Sequence, residues 1–344
     1  MNSNSKHKKR TSPDPAALPE SSPRSQRLSA VGWTFVYIAV FAITQVIAGL
    51  AIVALFAFSA VNTAVSEGSL AADDSYALAE FVQELVVNQI PASMPWVLLI
   101  SSLLTIVIAW FIAKKRGFDV SRLAGLNPAS ASTVASALFL GIGFSLAFNS
   151  VLNMPGLEGM HDSDTTIAQS LLFGSILTAI VGSTIVPIVE EIVFRGFILN
   201  ELRRGFSLIP AVAFSSLVFG ALHGTAAWAV MALILGLLLA WVALRTRSVY
   251  AAIATHIGIN ATSFTMAWSN PDQTSTFIAF IVIGAVLLVA STVLILRNSK
   301  PLSQLEPAPQ PAPKKRWHDY ADTEAEAAQF LEQYQKPPKR WFQG

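Results

Sequence analysis

The sequence predicts an all-α polytopic membrane protein with about eight transmembrane helices and both termini in the cytoplasm. Three observations lead to this fold class. Hydrophobic residues make up 53% of the 344 residues and charged residues only 13%, a balance typical of membrane proteins. The apolar residues form runs of about 20, the length that crosses a bilayer. Lys and Arg concentrate near both ends and in alternate loops, which favours the cytoplasmic side for these positions.

Composition also predicts the domain organisation. Residues 1–30 are expected to be a disordered cytoplasmic tail, because they are rich in Ser, Pro, Lys and Arg and have few apolar side chains to bury. Residues 31–164 are expected to form N-terminal membrane helices and loops, and residues 165–298 a catalytic membrane core. Residues 299–344 are expected to form a Pro-rich, basic and aromatic cytoplasmic tail. The chain has no cysteine, which excludes disulfides, thiolate metal sites and a cysteine nucleophile.

Eight apolar segments are candidate membrane spans. Their predicted ranges are 32–58, 94–113, 131–152, 167–189 with an extension to about 202, 207–223, 226–244, 249–268 and 274–296. The basic span ends alternate with two acidic loops, 61–93 and 153–166, so eight spans with both termini inside keep every Lys- and Arg-rich loop in the cytoplasm. Segment 117–130 is predicted to be a short interfacial piece.

Two adjacent glutamates, Glu190 and Glu191, end the long uncharged run of the fourth span, and Arg195 follows. A charge at the centre of a membrane helix costs about 2.5–3.5 kcal/mol on insertion scales, so such residues usually face the bundle interior and serve a function. On a helix Glu191 and Arg195 face each other, whereas Glu190 lies about 100° around the axis. We therefore predict that Arg195 holds Glu191 and that Glu190 projects into a cavity as a general base. The alternatives are a buried structural ion network of all three charges and a helix that emerges into water at Glu190.

Two more polar pairs lie on later spans. Phe219 and His223 are four residues apart, as are His256 and Asn260, so each pair shares one helix face. An amide can donate to an oxyanion and an imidazole can donate or accept. Taken alone, the second pair is better explained as an interhelical hydrogen-bond pair, and a lone histidine at the end of a span is more often an interface residue than a ligand.

The three motifs are Glu190-Glu191-x-x-x-Arg195, Phe219-x-x-x-His223 and His256-x-x-x-Asn260. In order, spacing and separation they resemble those of the CPBP or Abi family of intramembrane endopeptidases, which includes the type II CAAX prenyl proteases. The resemblance covers about 165–268. It implies hydrolysis of a peptide bond within the membrane by a water that one glutamate and the first histidine, Glu190 and His223, orient and deprotonate. It also implies that His256 and Asn260 stabilise the tetrahedral oxyanion.

Members of this family have been described both as metalloproteases and as metal-independent glutamate proteases. We expect a glutamate-activated water with no obligatory metal. If zinc is bound, the three ligands would be Glu190, His223 and His256, with water in the fourth position. The chain has no His-Glu-x-x-His sequence, the motif that sets two zinc ligands on one helical turn.

The expected partners are the lipid bilayer and a membrane-anchored peptide or protein substrate, with no nucleic acid. In the C-terminal tail, basic clusters with Trp317 and Trp341 flank a weakly amphipathic stretch around Phe330 and Leu331, which predicts docking on anionic lipid without a part in catalysis. The tails suggest a bacterial plasma membrane protein. Two rival functions are a catalytically silent scaffold or immunity factor and a transporter. A transporter would favour inverted repeats, which the sequence does not show.

Overall fold

The structure is a computed structural model that describes residues 22–70, 75–154, 175–224, 226–269 and 274–311. In these ranges all regular structure is helical, which confirms the predicted fold class. The α-helices are α1 Pro23–Ser66, α2 Ser75–Lys115, α3 Val120–Leu123, α4 Ala131–Leu152, α5 Ile176–Glu191, α6 Leu199–Gly205, α7 Leu208–Ala221, α8 Ala226–Thr246, α9 Val249–Ser269 and α10 Thr274–Asn298. A π-helix, Ile192–Ile198, joins α5 to α6, and a 3₁₀ turn, Leu302–Gln304, follows α10.

Where the structure describes them, the predicted spans fall on helices, and residues 167–174 of the fourth span lie outside the described residues. The largest differences are at the N-terminal side. Segment 75–93 was predicted to belong to an acidic loop but forms the first half of α2. Its acidic residues alternate with Ala, Leu and Val, which are compatible with a helix that continues beyond the membrane. Helix α1 begins at Pro23, inside the predicted tail, because Ser22 caps it through a bond from the Ser25 amide and proline suits the first turn.

Six helical stretches of the described chain are long and apolar enough to cross a membrane, by length and composition. They are Pro23–Ser66, Pro91–Lys115, Ala131–Leu152, Ile176–Gly205, Trp228–Thr246 and Thr274–Gln304. The two other predicted spans are also helical. Helix α7 has only 14 residues, and α9 has 21 residues that include His256 and Asn260. The count of eight spans and the cytoplasmic position of both termini remain predictions.

The π-helix lies at the centre of the main hydrophobic core. Its residues from Val193 to Ile198 are buried, and its aromatic rings contact neighbouring helices. Phe197 stacks on Tyr37 of α1 with ring centroids 5.0 Å apart, and Phe194 meets Phe219 of α7 edge to face, also at 5.0 Å. Helix α5 packs on α2 and α9, α7 on α8, and α4 on both α9 and α10. The segment that follows the two glutamates is therefore held from several sides.

Residues 299–311, which we call the C-terminal strap, pack on the helical core although they were predicted to begin a separate tail. Arg203 of α6 donates to the Glu306 carbonyl at 2.6 Å, and Arg245 of α8 donates to the Lys300 carbonyl at 2.7 Å. Arg247, after α8, donates to the Gln304 carbonyl. Leu302 and Leu305 pack on the core beside these contacts. The remaining predicted tail, 312–344, lies outside the described residues, as do residues 1–21 and most of acidic loop 153–166.

Candidate active site

The two adjacent glutamates lie at the last turn of α5, where the α-helix becomes a π-helix. Both are buried, with 8% of Glu190 and none of Glu191 exposed. The ion pair expected from the four-residue spacing is present, since Nη1 of Arg195 lies 2.8 Å from Oε1 of Glu191. A single-turn π segment inside an α-helix is frequent at functional sites. The local geometry therefore brings both carboxylates into the interior of the bundle.

Arg195 is fixed by three neighbours. Besides Glu191, its Nη2 donates to the backbone carbonyl of Gly236 on α8 at 3.2 Å. Its Cζ lies 4.3 Å from the ring centroid of Phe219, a distance typical of a cation–π contact. Only 4% of Arg195 is exposed, and its Nε has no hydrogen-bond partner among the described residues. A guanidinium so enclosed has little freedom to move away from Glu191.

His256 on α9 lies between the two glutamates. Its Nδ1 is 2.9 Å from Oε1 of Glu191, and its Nε2 is 3.8 Å from Oε2 of Glu190. Because a carboxylate accepts, the Nδ1 proton points to Glu191, and Nε2 is the nitrogen that faces Glu190. Glu191 thus binds both Arg195 and His256, a second contact that the sequence reasoning missed. His256 is 3% exposed.

The first histidine motif is joined to this cluster through an aromatic ring. Nδ1 of His223 lies 2.6 Å from the Phe219 carbonyl, which can only accept, so the proton is on Nδ1 and Nε2 of the neutral ring is the basic nitrogen. The Phe219 ring centroid is 4.5 Å from that of His223 and 6.0 Å from that of His256. Phe219 is fully buried and His223 half-buried. Among the described residues no hydrogen bond or ion pair joins His223 to Glu190 directly.

Asn260 lies one turn beyond His256 on α9 and is half-buried. Its Nδ2 donates to the backbone carbonyl of Gly182 on α5 at 3.0 Å. A side-chain amide has two N–H groups, so this bond fixes the group and leaves one donor for another acceptor. Four of the six predicted residues are therefore in direct contact, namely Glu190, Glu191, Arg195 and His256. His223 adjoins this group through the Phe219 ring. Asn260 is anchored to α5 two turns before the glutamates.

The predicted zinc ligands do not assemble into a metal site in the described part of the chain. No three His, Asp or Glu side chains there are grouped closely enough to hold a metal ion. His223 and His256 each have Nδ1 bonded to an oxygen, an arrangement that would orient a metal ligand or a proton acceptor equally well. The third candidate, Glu190, has Oε2 at 3.8 Å from Nε2 of His256.

Two contacts of the candidate site could not be predicted from the sequence. The carbonyls of Gly182 and Gly236 hold Asn260 and Arg195, but every residue has a carbonyl, and its direction depends on how the helices pack. A glycine within an apolar span is the one indirect signal, because it permits close approach of another helix. Phe219, in contrast, belongs to a predicted motif, and its ring lies beside the imidazole of His223.

Comparison with known proteins agrees with the motifs. Residues 168–262 match the family described as Type II CAAX prenyl endopeptidase Rce1-like. This match confirms the resemblance proposed from the sequence, and its range contains all six site residues, although it is less than a third of the chain. No curated protein and no solved structure matches the chain. At the level of the family, the match supports a membrane protease of the CAAX type.

Proposed function

Because residues 168–262 match the type II CAAX prenyl endopeptidases, we propose that this chain is an intramembrane endopeptidase that hydrolyses a peptide bond of a membrane-associated substrate. One observation carries the proposal. A buried imidazole, His256, lies between two buried carboxylates, 2.9 Å from Glu191 and 3.8 Å from Glu190. Such a group of titratable side chains within an apolar bundle is costly, which favours a chemical role over a structural one.

In the proposed reaction, Glu190 and His223 activate the attacking water. Among the described residues, Glu190 has no ion pair with arginine, unlike Glu191, so its carboxylate is available to take a proton. His223 offers its unprotonated Nε2, because Nδ1 is bonded to the Phe219 carbonyl. The water oxygen forms a bond to the carbonyl carbon of the substrate and its proton passes to Glu190. When the C–N bond breaks, that proton moves to the leaving amine.

His256 and Asn260 are the proposed donors to the oxyanion of the tetrahedral intermediate. The second N–H of the Asn260 amide is not used by Gly182. Because the Nδ1 proton of His256 is bonded to Glu191, His256 donates from Nε2, which requires the doubly protonated imidazolium. Donors that are held in place before the reaction stabilise the developing charge without rearrangement, an effect worth about 2.7–4 kcal/mol per donor. Glu191 and Arg195 act as positioning residues for His256 in this scheme.

Zinc has no part in these steps. If it were required, Glu190, His223 and His256 would have to bind it together. Purified protein treated with a strong chelator separates the two mechanisms. We expect turnover to persist after metal removal. Zinc in a one-to-one ratio with active protein, with chelation stopping turnover and zinc restoring it, would instead establish the metal-dependent mechanism.

The proposed function is tested with purified full-length protein in proteoliposomes and a fluorogenic peptide anchored to the membrane. Wild-type protein should cleave the peptide, and Glu190→Gln should reduce turnover to background. Glu84→Gln is the matched control, since it makes the same chemical change at an exposed position of α2. A folded wild-type protein that cleaves no membrane-anchored peptide or protein would favour the silent scaffold, and full activity of Glu190→Gln would remove the general base.

A further inference from the structure

The backbone carbonyl of Gly236 is the outermost member of a chain of contacts that ends at the proposed general base. Gly236 is buried in the middle of α8, an apolar helix that carries none of the three motifs. Its oxygen accepts from Arg195 at 3.2 Å, and Arg195 donates to Glu191 at 2.8 Å. Glu191 accepts from His256, whose other ring nitrogen faces Glu190.

Close approach of α7 leaves little room for a larger residue at this position. A Cβ on residue 236 would lie 3.0 Å from Cβ of Ser216, 3.1 Å from its Cα and 3.3 Å from its carbonyl oxygen. Two of these three atoms belong to the backbone and cannot rotate away. Helix α7 is itself tied to the π-helix, because Oγ of Ser215 donates to the Phe194 carbonyl at 3.2 Å. An added methyl group would therefore move α8 and its carbonyl rather than α7.

Loss of the Gly236 carbonyl would leave Glu191 as the hydrogen-bond acceptor of Arg195 among the described residues, and Oε2 of Glu191 has no partner there. The guanidinium is enclosed by the Phe219 ring, by Glu191 and by Gly236, and its Nε already has no partner among the described residues. The Nη2 to carbonyl distance of 3.2 Å is at the long end for an N–H···O bond, so a shift of a few tenths of an ångström breaks it. The freed guanidinium then pulls on Glu191, and the His256 ring loses its fixed orientation.

We propose that Gly236 is a positioning residue for the peptidase reaction, acting through Arg195 and Glu191 on the orientation of His256. This inference rests on the proposed function. It predicts that Gly236→Ala lowers kcat about ten- to a hundredfold, the loss typical of a small misplacement of catalytic groups, with KM nearly unchanged. Gly236 is buried between Arg195 and Ser216, so we expect its replacement to leave the affinity for substrate nearly unchanged.

Gly205→Ala is the matched control. A Cβ at residue 205 would meet Cβ of Ala30 at 2.9 Å, Cα of Arg27 at 2.9 Å and the carbonyl of Gln26 at 3.3 Å, the same kinds of atom at similar distances. Gly205 ends α6 and has no contact with the site residues. Both variants should lower Tm to a similar extent. Only Gly236→Ala should lower kcat per folded molecule.

A double-mutant cycle with Arg195→Lys separates positioning from general destabilisation. Lysine keeps the charge but has one ammonium group, which cannot bridge Glu191 and Gly236 in the manner of a guanidinium fork. If Gly236 acts through Arg195, Gly236→Ala should change kcat by less than about twofold in the Arg195→Lys background. Independent, multiplicative losses in kcat would overturn the inference, as would equal kcat losses in Gly205→Ala and Gly236→Ala.

The same cycle is measured on Tm, which needs no substrate. Coupled Tm shifts for Gly236 and Arg195 support the contact even if Gly236→Ala is too unstable for kinetics, and Arg195→Lys alone then reports the kcat loss. Additive Tm shifts would refute the contact. If wild-type protein cleaves nothing, the proposed function fails and Gly236 has no role in catalysis. If wild-type protein cleaves the peptide but the effects of Gly236→Ala and Arg195→Lys are additive, only the role of Gly236 is refuted.

Discussion

At the scale of single residues, Glu190 and Glu191 differ in what surrounds them rather than in what they are. Glu191 is fully buried and accepts from both Arg195 and His256 through one oxygen, Oε1. Within the described ranges, the one ion-pair contact of Glu190 is with Nε2 of His256, at 3.8 Å. The carboxylate of Glu191 therefore satisfies two buried donors, while that of Glu190 adds little to the stability of the fold.

This difference predicts opposite outcomes for two alanine variants. Glu191→Ala leaves a buried guanidinium and imidazole without their acceptor, a change that typically costs about 3–5 kcal/mol. We expect a low yield of monomeric protein and a lower Tm, with activity lost as well. Glu190→Ala should abolish cleavage and keep nearly the wild-type yield. Size-exclusion profiles measure the yield of monomer, Tm the stability, and peptide cleavage the activity of the two variants. Equal yields for the two variants would contradict the division of roles.

Asn260 gives a second prediction at this scale. Its bond to the Gly182 carbonyl fixes the amide, and its remaining N–H is the proposed oxyanion donor. Asn260→Ala should lower kcat about 10²–10³-fold, as loss of such a donor does, with little change in KM. Ser263→Ala is the control, because Ser263 lies on the same helix as Asn260 and the change removes polar contacts to Ser145 and Asn149 of α4. A rise in KM with unchanged kcat would make Asn260 a substrate-binding residue.

At the scale of elements, the π-helix is the segment on which the site depends. It follows the glutamates directly and carries Arg195, and it packs closely on the turn after α3. A Cβ on Gly196 would lie 2.7 Å from the carbonyl oxygen of Ala124 and 2.8 Å from its Cα. Such contacts with backbone atoms can be relieved only by moving the turn or the π-helix.

Gly196→Ala should therefore lower Tm and reduce cleavage, because the displaced π-helix carries Arg195. Gly32→Ala is the matched control: Gly32 lies in α1, and an added Cβ would have no atom within 4 Å. Replacing a helical glycine by alanine in open space is neutral or stabilising by about 0.5–1 kcal/mol. Thermal unfolding in detergent measures both variants. A Gly196→Ala protein as stable as Gly32→Ala would show that the close approach is not rigid.

These elements also show what a sequence can predict. The apolar runs predicted α4 and α9 to within a residue or so, since hydrophobic length decides where a membrane helix lies. The π-helix has no such signal, because it changes hydrogen bonding without changing composition. The same holds for the Gly236 carbonyl, which receives Arg195 only after α8 has packed against its neighbours. Motif spacing predicted the Glu191–Arg195 pair but not the bond from Glu191 to His256.

At the scale of the whole molecule, the C-terminal strap joins the ends of several helices. Arginines from α6, α8 and the α8–α9 connection donate to its backbone carbonyls, and Arg247 also lies 3.5 Å from the Glu306 carboxylate. Its Pro-rich composition predicted the start of a cytoplasmic tail, because backbone carbonyls carry no sequence signature as acceptors for arginine. The strap is part of the folded core up to Pro311, where the described residues end.

Two truncations test this division of the predicted tail. A protein that stops after Pro311 keeps every strap contact and should retain the Tm and the cleavage rate of the full chain in detergent. A protein that stops after Asn298 loses the acceptors of Arg203 and Arg247 and the packing of Leu302 and Leu305. Each lost hydrogen bond is worth about 1 kcal/mol, and water replaces only part of it, so Tm should fall. Identical Tm values for the two truncations would mean that the strap adds nothing to the core. Loss of cleavage on removal of 312–344 alone would instead assign that segment to the enzyme.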